Sequence, residues 1–563
     1  MRWIERPPGD QHLTDHLHHS LNHNPNKPVA YWVSQLLTSR HVVTYDQAKA
    51  FFVPRLEALH DPFLMQDMDK AVSRIEQALQ QGESILVYGD YDVDGTTAVA
   101  LMYQYLSGLG GSCAFYIPDR YTEGYGLSKQ GIRFAEDNGF TLLIALDCGV
   151  KAFDSIALSN ELGIDVIVCD HHMPDSRLPN AFAVLDPMRT DCNYPFKGLC
   201  GCGVGFKLIQ ALEQKAGRGV EHIVQYLDLV AVAIGADVVS VADENRILAY
   251  HGVEQIKQKP RPGIKALLKG KTMRDAHLSD FNFSIAPKIN AAGRIKHGEY
   301  AVALLTTTEH EKARELAQEI EVFNTERRST EQQVTEEALI LAEAEADCAT
   351  TVVRASHWHK GVIGIVASRL QATYYRPTLV FTQSGTDWAA SARSVKGYDV
   401  HAAIEACQQH LIQFGGHAYA AGITLSDEQY EPFKAAFEAH VRQTLKPDLQ
   451  QPSITYDIEI GIEMLDLKMF RLLQRFQPFG PDNAEPVFLL RGVRLGALQC
   501  VGAEGRHLRG KLHHLPFIAF NRGQQLDLAK DSKVDILATL GMNHFNDRAS
   551  LQLQLKDIKP SNF

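Results

Sequence analysis

Three aspartates at alternate positions, Asp90, Asp92 and Asp94, stand in the stretch YGDYDVDG at the end of the apolar run SILVYG. Carboxylates this dense repel one another unless cations neutralise them. An EF-hand loop shares the D-x-D-x-D-G opening, but it needs a helix before it and a Glu at position twelve. Here a strand-like run precedes, and position twelve counted from Asp90 is Leu101. Further acids recur in equivalent settings: Asp147 ends TLLIALD, Asp170, His171 and His172 follow DVIVC, and Asp237 follows DLVAVAIGA. Singly, each reads as a helix cap or a loop carboxylate; recurrence at one edge of a sheet makes them a set. Several carboxylates with one or two imidazoles form a site suited to Mn²⁺ or Mg²⁺. Cys148 and Cys169 are neighbours whose strand positions point to packing. Two such cations about 3.5–4 Å apart are a standard device for hydrolysing a phosphoryl ester or anhydride. There is no Walker motif, and LCGCGVGFKL has Phe206 where G-x-G-x-x-G requires glycine, so a P-loop or Rossmann enzyme is not expected.

The elements that must position these groups are legible as spacing. The runs SILVYGD, SCAFYIP, TLLIALD, DVIVCDHH and FAVLD follow one another at the separation of a parallel sheet with crossover helices, among them Gly203 to Lys215 and Val224 to Ala236. Acids ending such runs lie where α/β folds place their sites. Residues 309–346 contain no Gly or Pro and keep an apolar stripe of Leu316, Ile320, Phe323, Val334, Ala338 and Leu341. That predicts one helix of roughly 55 Å, a connector between two lobes, the other reading being two shorter helices with a turn near Asn324 to Arg328. A second α/β segment follows (TVVRAS, a helix from Gly361 to Ala372, PTLVFT), then a Gly-rich stretch, FGGHAYAAG. From Ser453 onward the pattern is β-rich, with five short runs that suit a small barrel of the OB type. The expected fold is therefore α/β and multidomain: 1–75, an N-terminal helical segment; 76–308, a parallel-sheet catalytic domain; 309–346, the connecting helix; 347–450, a smaller α/β lobe; 451–563, an OB-fold DNA-binding domain. The histidines of the first segment (His12, His16, His18, His19, His23) read as a solvated helical face, since no acid or Cys completes a metal set.

Composition narrows the partners. With 45% hydrophobic and 22% charged residues the chain is globular, and a formal charge of -11 excludes a protein that coats nucleic acid over its whole surface. Nine scattered cysteines without a C-x-x-C pair read as a reduced, intracellular chain. The N-terminus lacks the apolar core of a signal peptide, and Leu229 to Ala242 is too short and too acidic to span a bilayer. A soluble, cytoplasmic protein is expected. Between Arg491 and His514, Arg491, Arg494, Arg506, Arg509 and Lys511 face one acid, Glu504. With Phe517 and Phe520 nearby, that stretch predicts a groove for single-stranded DNA.

GDYDVDG, LDCG, DHH and ADVV resemble the four motifs of the DHH phosphoesterase superfamily. IPDRYTEGYGLS, FSIAPKINAAGRI, WHKGVIGIVASRL, SARSVKGYDV, FGGHAYAAG, PFGPDNAEPVF and HLRGKL, in that order, resemble its RecJ branch of bacterial single-stranded-DNA exonucleases. The resemblance implies a DHH domain, a DHH-associated lobe and two Mn²⁺ or Mg²⁺ ions held by Asp92, Asp94, Asp147, His171 and Asp237, with Asp147 bridging. Asp90 belongs to the same motif, as a ligand or as an orienter of the loop. Asp170 is implied to support the loop and the ring orientation. His172 is placed near the scissile phosphate, as general acid, charge stabiliser or hydrogen-bond partner. Arg120, Arg294, Ser391 and Arg393 are implied as a 5′-phosphate anchor, with a salt bridge to Glu123 the other reading of Arg120. His359, Gly415, Gly416 and His417 are implied to line the facing lobe, Tyr419 either stacking on a base or lying in the core. The sequence departs from the family pattern at Lys288, Ala390, Phe545 and Asp547. The activity implied is metal-dependent 5′-to-3′ degradation of single-stranded DNA by a monomer in repair and recombination, beside a helicase and a single-strand-binding protein. Two other readings are a phosphodiesterase of short oligonucleotides or cyclic dinucleotides, which would not need the barrel, and an inactive DNA-binding scaffold, which would not need the complete carboxylate set.

Overall fold

The chain begins with a strand, β1 (Arg2–Glu5), and three short helices, α1 (Gln11–Leu21), α2 (Tyr31–Thr38) and α3 (Tyr45–Phe52). In this computed structural model residues 1–561 are described, apart from 25, 27, 270–272, 346, 531, 546 and 547; Asp547 and the Phe545 side chain fall outside the description. Helices of this length bury too little apolar surface to stand alone. Leu17, Trp32, Val33, Leu36, Leu37 and Ala48 accordingly share one core with Phe476, Phe488, Leu508 and Ile536 of the C-terminal domain. The separate N-terminal segment expected over 1–75 is therefore corrected: its first part packs on the far end of the chain. The expected boundary also cuts α4 (Met68–Gln81), whose Met68, Ala71, Val72 and Ile75 belong to the catalytic core.

β2 (Ser84–Gly89), β3 (Ser112–Tyr116), β4 (Leu142–Leu146), β5 (Asp165–Cys169) and β6 (Ala183–Leu185) form a wholly parallel sheet in the order β3-β2-β4-β5-β6. Its central strands are covered on both faces, which is why they read as unbroken apolar runs. Ile85, Val87, Ile144 and Leu146 face α5 (Val93–Gly108) and α8 (Gly201–Lys215) on one side, with α9 (Leu227–Asp237) packed behind those helices. Leu86, Tyr88, Leu143 and Ala145 meet α6 (Lys129–Asp137) and α7 (Phe153–Glu161) on the other. The chain leaves β2 toward β3 and returns across it to β4, so the strand order reverses between β2 and β4. In such sheets ligands bind in the crevice at that reversal, beyond the carboxyl ends of the strands.

After α10 (Asp243–Gln258) and several shorter helices, His310–Glu343 forms one unbroken helix of 34 residues, about 51 Å long. Ala313, Leu316, Ile320 and Phe323 anchor its first half in the catalytic core. Val334, Ala338 and Ala342 pack its second half on helix Ile363–Tyr374 of the second lobe. That lobe carries β7 (Thr351–Arg354), β8 (Thr378–Ser384), β9 (Asp387–Arg393), β10 (Gln413–His417) and β11 (Ala420–Leu425) in the order β10-β11-β9-β8-β7.

At the C-terminal end, β12 (Ser453–Tyr456) pairs in parallel with β1. The remaining strands are β13 (Ile458–Glu459), β14 (Phe488–Val493), β15 (Leu495–Val501), β16 (His507–Leu512), β17 (Leu515–Ala519), β18 (Val534–Phe545) and β19 (Arg548–Pro560). They form one sheet of seven strands rather than the five expected. The run PVFLLRGVRLGALQCVG divides at Arg494 into β14, which pairs with β18, and β15, which pairs with β16, and the short β13 adds an edge. Among the described residues no helix is long and apolar enough to cross a membrane.

Candidate active site

Asp90 follows β2 and Asp147 follows β4, one on each side of the strand-order reversal. Asp92 caps α5 by accepting from Gly95 N at 3.0 Å. Asp94, one turn in, accepts from Gly201 N at 2.6 Å and Cys202 N at 2.7 Å, the first amides of α8. Gly201 has to be glycine for a steric reason: a Cβ there would lie 2.5 Å from Asp147 Cβ and 2.6 Å from its Oδ1. The glycines of LCGCGVG thus permit contact with carboxylates rather than with a nucleotide. Asp237 is the last residue of α9, and Val238 after it is left-handed (φ 59), as is Asp147 (φ 59).

His171 gathers these acids. Its Nε2 lies 3.2 Å from Asp147 Oδ1, 3.8 Å from Asp94 Oδ2 and 3.8 Å from Asp237 Oδ2. Ligand atoms of Asp94, His171 and Asp237 lie within 4.8 Å of one another, as do those of Asp147, His171 and His172. Buried Asp90 Oδ1 and Asp147 Oδ1 have no hydrogen-bond partner among the described residues. Burial, then the surrounding carboxylates, holds Asp147 far above the ordinary carboxylate range; burial, then Asp92, does the same to Asp90. Burial and the charges of Asp94 and Asp92 push Asp237 up to about 8. Burial raises Asp94 as well, and lowers His171. Orphaned carboxylate oxygens around a neutral imidazole fit divalent cations, whose charge would relieve this repulsion.

Asp170 is different. Its Oδ1 accepts from His172 Nδ1 at 2.7 Å and His171 N at 2.8 Å, and its Oδ2 from Val150 N at 3.0 Å. With its oxygens occupied, it orients the DHH turn. Burial opposes the charge on both partners of the His172–Asp170 hydrogen bond. The bond outweighs it, lowering Asp170 and raising His172 to about 9. Cys148 and Cys169 are buried, and burial raises both thiols, so they offer no thiolate.

Arg120 and Arg294 belong to the catalytic domain, and Ser391 and Arg393 to β9 of the second lobe. The Arg120 guanidinium lies 4.7 Å over the Tyr91 ring. The alternative bridge to Glu123 does not form, because Glu123 accepts from Asp119 N, Tyr116 and Ser128. Arg294 Nη1 donates to Gly361 O at 2.7 Å across the lobes, and burial, then Arg120, lowers it to about 10. Arg393 donates to Ser368 Oγ, Ser391 Oγ and Ala392 O, all neutral; burial lowers its pKa. Its Nη2 and Ser391 Oγ lie 3.0 Å from where a Cβ on Gly364 would stand, at the start of helix Ile363–Tyr374. Two guanidinium groups without a carboxylate thus flank a helix N-terminus, an arrangement that attracts phosphate.

His359 accepts from Gly361 N at 3.1 Å and meets Tyr121 edge-on at 5.8 Å. His417, exposed on β10 beside exposed Gly415 and Gly416, stacks toward His172 with ring centroids 6.5 Å apart. Tyr419 is exposed rather than in the core. Of the departures, Lys288 is taken up by Glu321 at 2.8 Å and Leu267 O, while Ala390 is buried between Phe381 and Ile423.

In the C-terminal sheet Arg506, Arg509 and Lys511 are exposed, the last two on the outer face of β16 whose inner residues Leu508 and Leu512 are buried. Two parts of the expected groove are corrected. Arg491 is held by Glu459 at 2.8 Å and Asp535 at 3.4 Å, and Phe517 is an inward core residue, which strand alternation dictates. Phe520 remains exposed against His507.

Sequence reading missed Tyr125, whose hydroxyl lies 3.2 Å from the His172 ring nitrogens, and Asp186. Asp186 ends FAVLD, the same signal that marked Asp147. It is fully buried with Oδ2 unpartnered among the described residues, and burial, with Asp170 adding to it, pushes it up to about 7.

Residues 84–234 match the DHH family N-terminal domain, 347–443 the DHHA1 domain and 456–557 the RecJ OB domain. The whole chain is 35% identical to the single-stranded-DNA-specific exonuclease RecJ of Bacillus subtilis, covering 71% of it. It superposes in full on Thermus thermophilus RecJ in complex with Mn²⁺, covering 80% of that chain with TM-score 0.85 at 28% identity. The Mg²⁺ complex of the same protein gives TM-score 0.79 at 28% identity over 79% of that chain. Matched in every domain and along its whole length, the chain belongs to the RecJ family of single-stranded-DNA-specific exonucleases.

Proposed function

We propose that this chain hydrolyses single-stranded DNA from its 5′ end, one phosphodiester at a time, with two Mn²⁺ or Mg²⁺ ions held by Asp92, Asp94, Asp147, His171 and Asp237, and Asp90 beside them. The observation that carries this reading is the cluster of mutually repelling carboxylates, accompanied by the buried Arg294 and Arg393, which no acid among the described residues neutralises. Bound there, two cations neutralise phosphate charge and lower the pKa of the attacking water.

The chain's own groups do the rest. Asp170 fixes the His172 ring through Nδ1, and Nε2, 3.2 Å from the Tyr125 hydroxyl, carries the proton for the departing 3′ oxygen. A His172 pKa of about 9 keeps that proton available at neutral pH. Arg120, Arg294, Ser391 and Arg393 hold the terminal 5′-phosphate. Hydrolysis leaves a new 5′-phosphate on the shortened strand, so the same anchor serves each cycle. His359, Gly415, Gly416 and His417 line the facing lobe, His417 across from His172, for a single strand to pass between. Arg509 on the outer face of β16 and Arg506 in the exposed turn before it grip the strand further along. Since free single-stranded 5′ ends arise by unwinding, a helicase and a single-strand-binding protein are the expected neighbours of a cytoplasmic monomer.

End-labelled strands of both polarities, with and without Mn²⁺, test this reading. Asp147→Ala is expected to abolish Mn²⁺-dependent nucleotide release while the variant stays folded; unchanged release from the variant, or degradation from the 3′ end by the parent, overturns it. A preference for dinucleotides over long strands would favour the small-substrate phosphodiesterase instead.

A further inference from the structure

The motif PFGPDNAEPVF has no part in the chemistry above, yet it reaches the metal centre. Asp237 ends α9, and the turn after it is held in an uncommon conformation: Val238 is a β-branched residue at φ 59, ψ 33, half exposed. Nothing in that residue favours the left-handed region, so its surroundings must hold the turn. Two contacts do so. Asn245 of α10 donates to Ser240 O at 2.9 Å and to Gly198 O at 2.6 Å, tying the turn to the approach to α8. Val241 N donates to Pro481 O at 2.9 Å, and Pro481 belongs to the C-terminal domain.

The 476–484 loop is itself rigidly framed. Asn483 donates to Phe476 O and Pro478 O at 2.8 Å each, and its side-chain oxygen accepts from Arg40 Nε at 3.0 Å. Arg40 also donates to Ala484 O at 2.8 Å. Arg246 of α10 inserts between the domains and donates to Phe476 O at 3.1 Å and Gln477 O at 2.9 Å. The contact with the turn is tight as well as hydrogen-bonded: a Cβ on Gly480 would stand 2.4 Å from Val241 Cγ2.

We propose that the 476–484 loop is a positioning element of the metal centre: through Pro481 and Gly480 it fixes the Val238–Val241 turn and thereby the carboxylate of Asp237. The C-terminal domain then sets metal affinity as well as gripping DNA, and the loop's carbonyls are satisfied because the loop has to be stiff. This rests on the reading of Asp237 as a ligand. Groups that orient metal ligands typically change affinity by about 10–100-fold when altered.

The test is Mn²⁺ binding to the full chain without DNA, followed by the electron paramagnetic resonance of free Mn²⁺, with thermal melting as the check on folding. Gly480→Ala is expected to weaken Mn²⁺ binding about tenfold, with nuclease activity recovered at higher Mn²⁺ and strand binding in chelator unchanged. Val241→Ala in the same chain removes the atom that the new methyl meets, so the double variant is expected to regain affinity. Parental Mn²⁺ affinity in Gly480→Ala overturns the proposal. If Gly480→Ala does not fold, the double variant decides: folded with near-parental affinity supports the proposal, and folded with no recovery overturns it. Asp237→Asn separates the two readings, because unchanged Mn²⁺ stoichiometry in that variant sinks the ligand assignment itself.

Discussion

Arg393→Met separates a substrate anchor from a structural arginine, because the two roles predict opposite signs for stability. The guanidinium donates to Ser368 Oγ at 3.1 Å, Ser391 Oγ at 3.0 Å and Ala392 O at 2.7 Å, and no carboxylate stands among its partners. If those bonds were its purpose, methionine would forfeit three of them at about 1 kcal/mol each, a loss of roughly 3 kcal/mol. A buried cation without a counter-ion is instead a cost to the empty protein, which the lowered pKa of Arg393 reflects. A methionine of similar length removes that cost, so the melting temperature is expected to stay level or rise. The loss falls on the substrate. One charge-assisted hydrogen bond to a phosphate oxygen contributes about 1.5–3 kcal/mol, which is roughly 10- to 150-fold. The assay is kcat/KM on matched strands bearing a 5′-phosphate or a 5′-hydroxyl. The phosphorylated substrate is expected to lose that factor while the hydroxyl substrate changes little. An unchanged ratio accompanied by a lower melting temperature refutes the reasoning.

Gly201→Ala, with its new methyl 2.6 Å from Asp147 Oδ1, is expected to cost Mn²⁺ affinity by at least tenfold while the variant still melts cooperatively; titration with Mn²⁺ and a thermal melt check both halves. The metal-free protein is expected to lose stability as pH rises. Asp90, Asp94, Asp147 and Asp237 all bind protons more tightly folded than unfolded, so their contribution is complete below pH 4 and is lost upward through the value of about 8 for Asp237. Melting in chelator from pH 5 to 8.5 should slope downward, and saturating Mn²⁺ should flatten it; a flat curve in chelator contradicts the repulsion described above. Arg506→Ala with Arg509→Ala should lower the salt dependence of single-strand binding by about 1.4 in logarithmic slope, at about 0.7 per phosphate contact. Arg491→Ala should leave that slope alone, since Glu459 and Asp535 already neutralise Arg491.

What the sequence made legible was whatever depends on local pattern. Strands buried on both faces announce themselves as apolar runs, and an acid ending such a run sits at the functional edge of the sheet, so Asp90, Asp147 and Asp170 could be placed by spacing alone. A helix without Gly or Pro over 309–346 is likewise a local matter, and it runs unbroken over His310–Glu343. Long-range packing left no such trace. Nothing in 1–52 tells a reader that Trp32 and Leu36 complete a core with Phe476 and Phe488, because an amphipathic helix does not specify its partner. The division into β14 and β15 at Arg494 shows only in the pairing, where β14 joins β18 and β15 joins β16. Asp186 carries the same signal, ending the strand-like run FAVLD, but without a Gly or His beside it that signal does not separate it from an ordinary loop carboxylate.

The formal charge of -11 argues against a protein that coats nucleic acid over its whole surface, and the placement of the charges shows why it says so little about a local contact. Asp90, Asp94, Asp147, Asp170 and Asp186 are buried at one sheet edge, and Glu311, Glu315, Glu319 and Glu326 line the exposed side of the connecting helix. At an ionic strength near 0.15 M charges more than about 8 Å apart are largely screened, so a phosphate senses its immediate surroundings rather than the total. Those surroundings change sign with metal occupancy. In the proposed site, the carboxylate cluster without cations would repel the phosphate that Arg294 and Arg393 would hold, and with cations both sides would attract it. Metal and DNA must therefore strengthen each other's binding by one shared factor, since such coupling is reciprocal. The acids that make the net charge negative become, once loaded, part of what holds the strand.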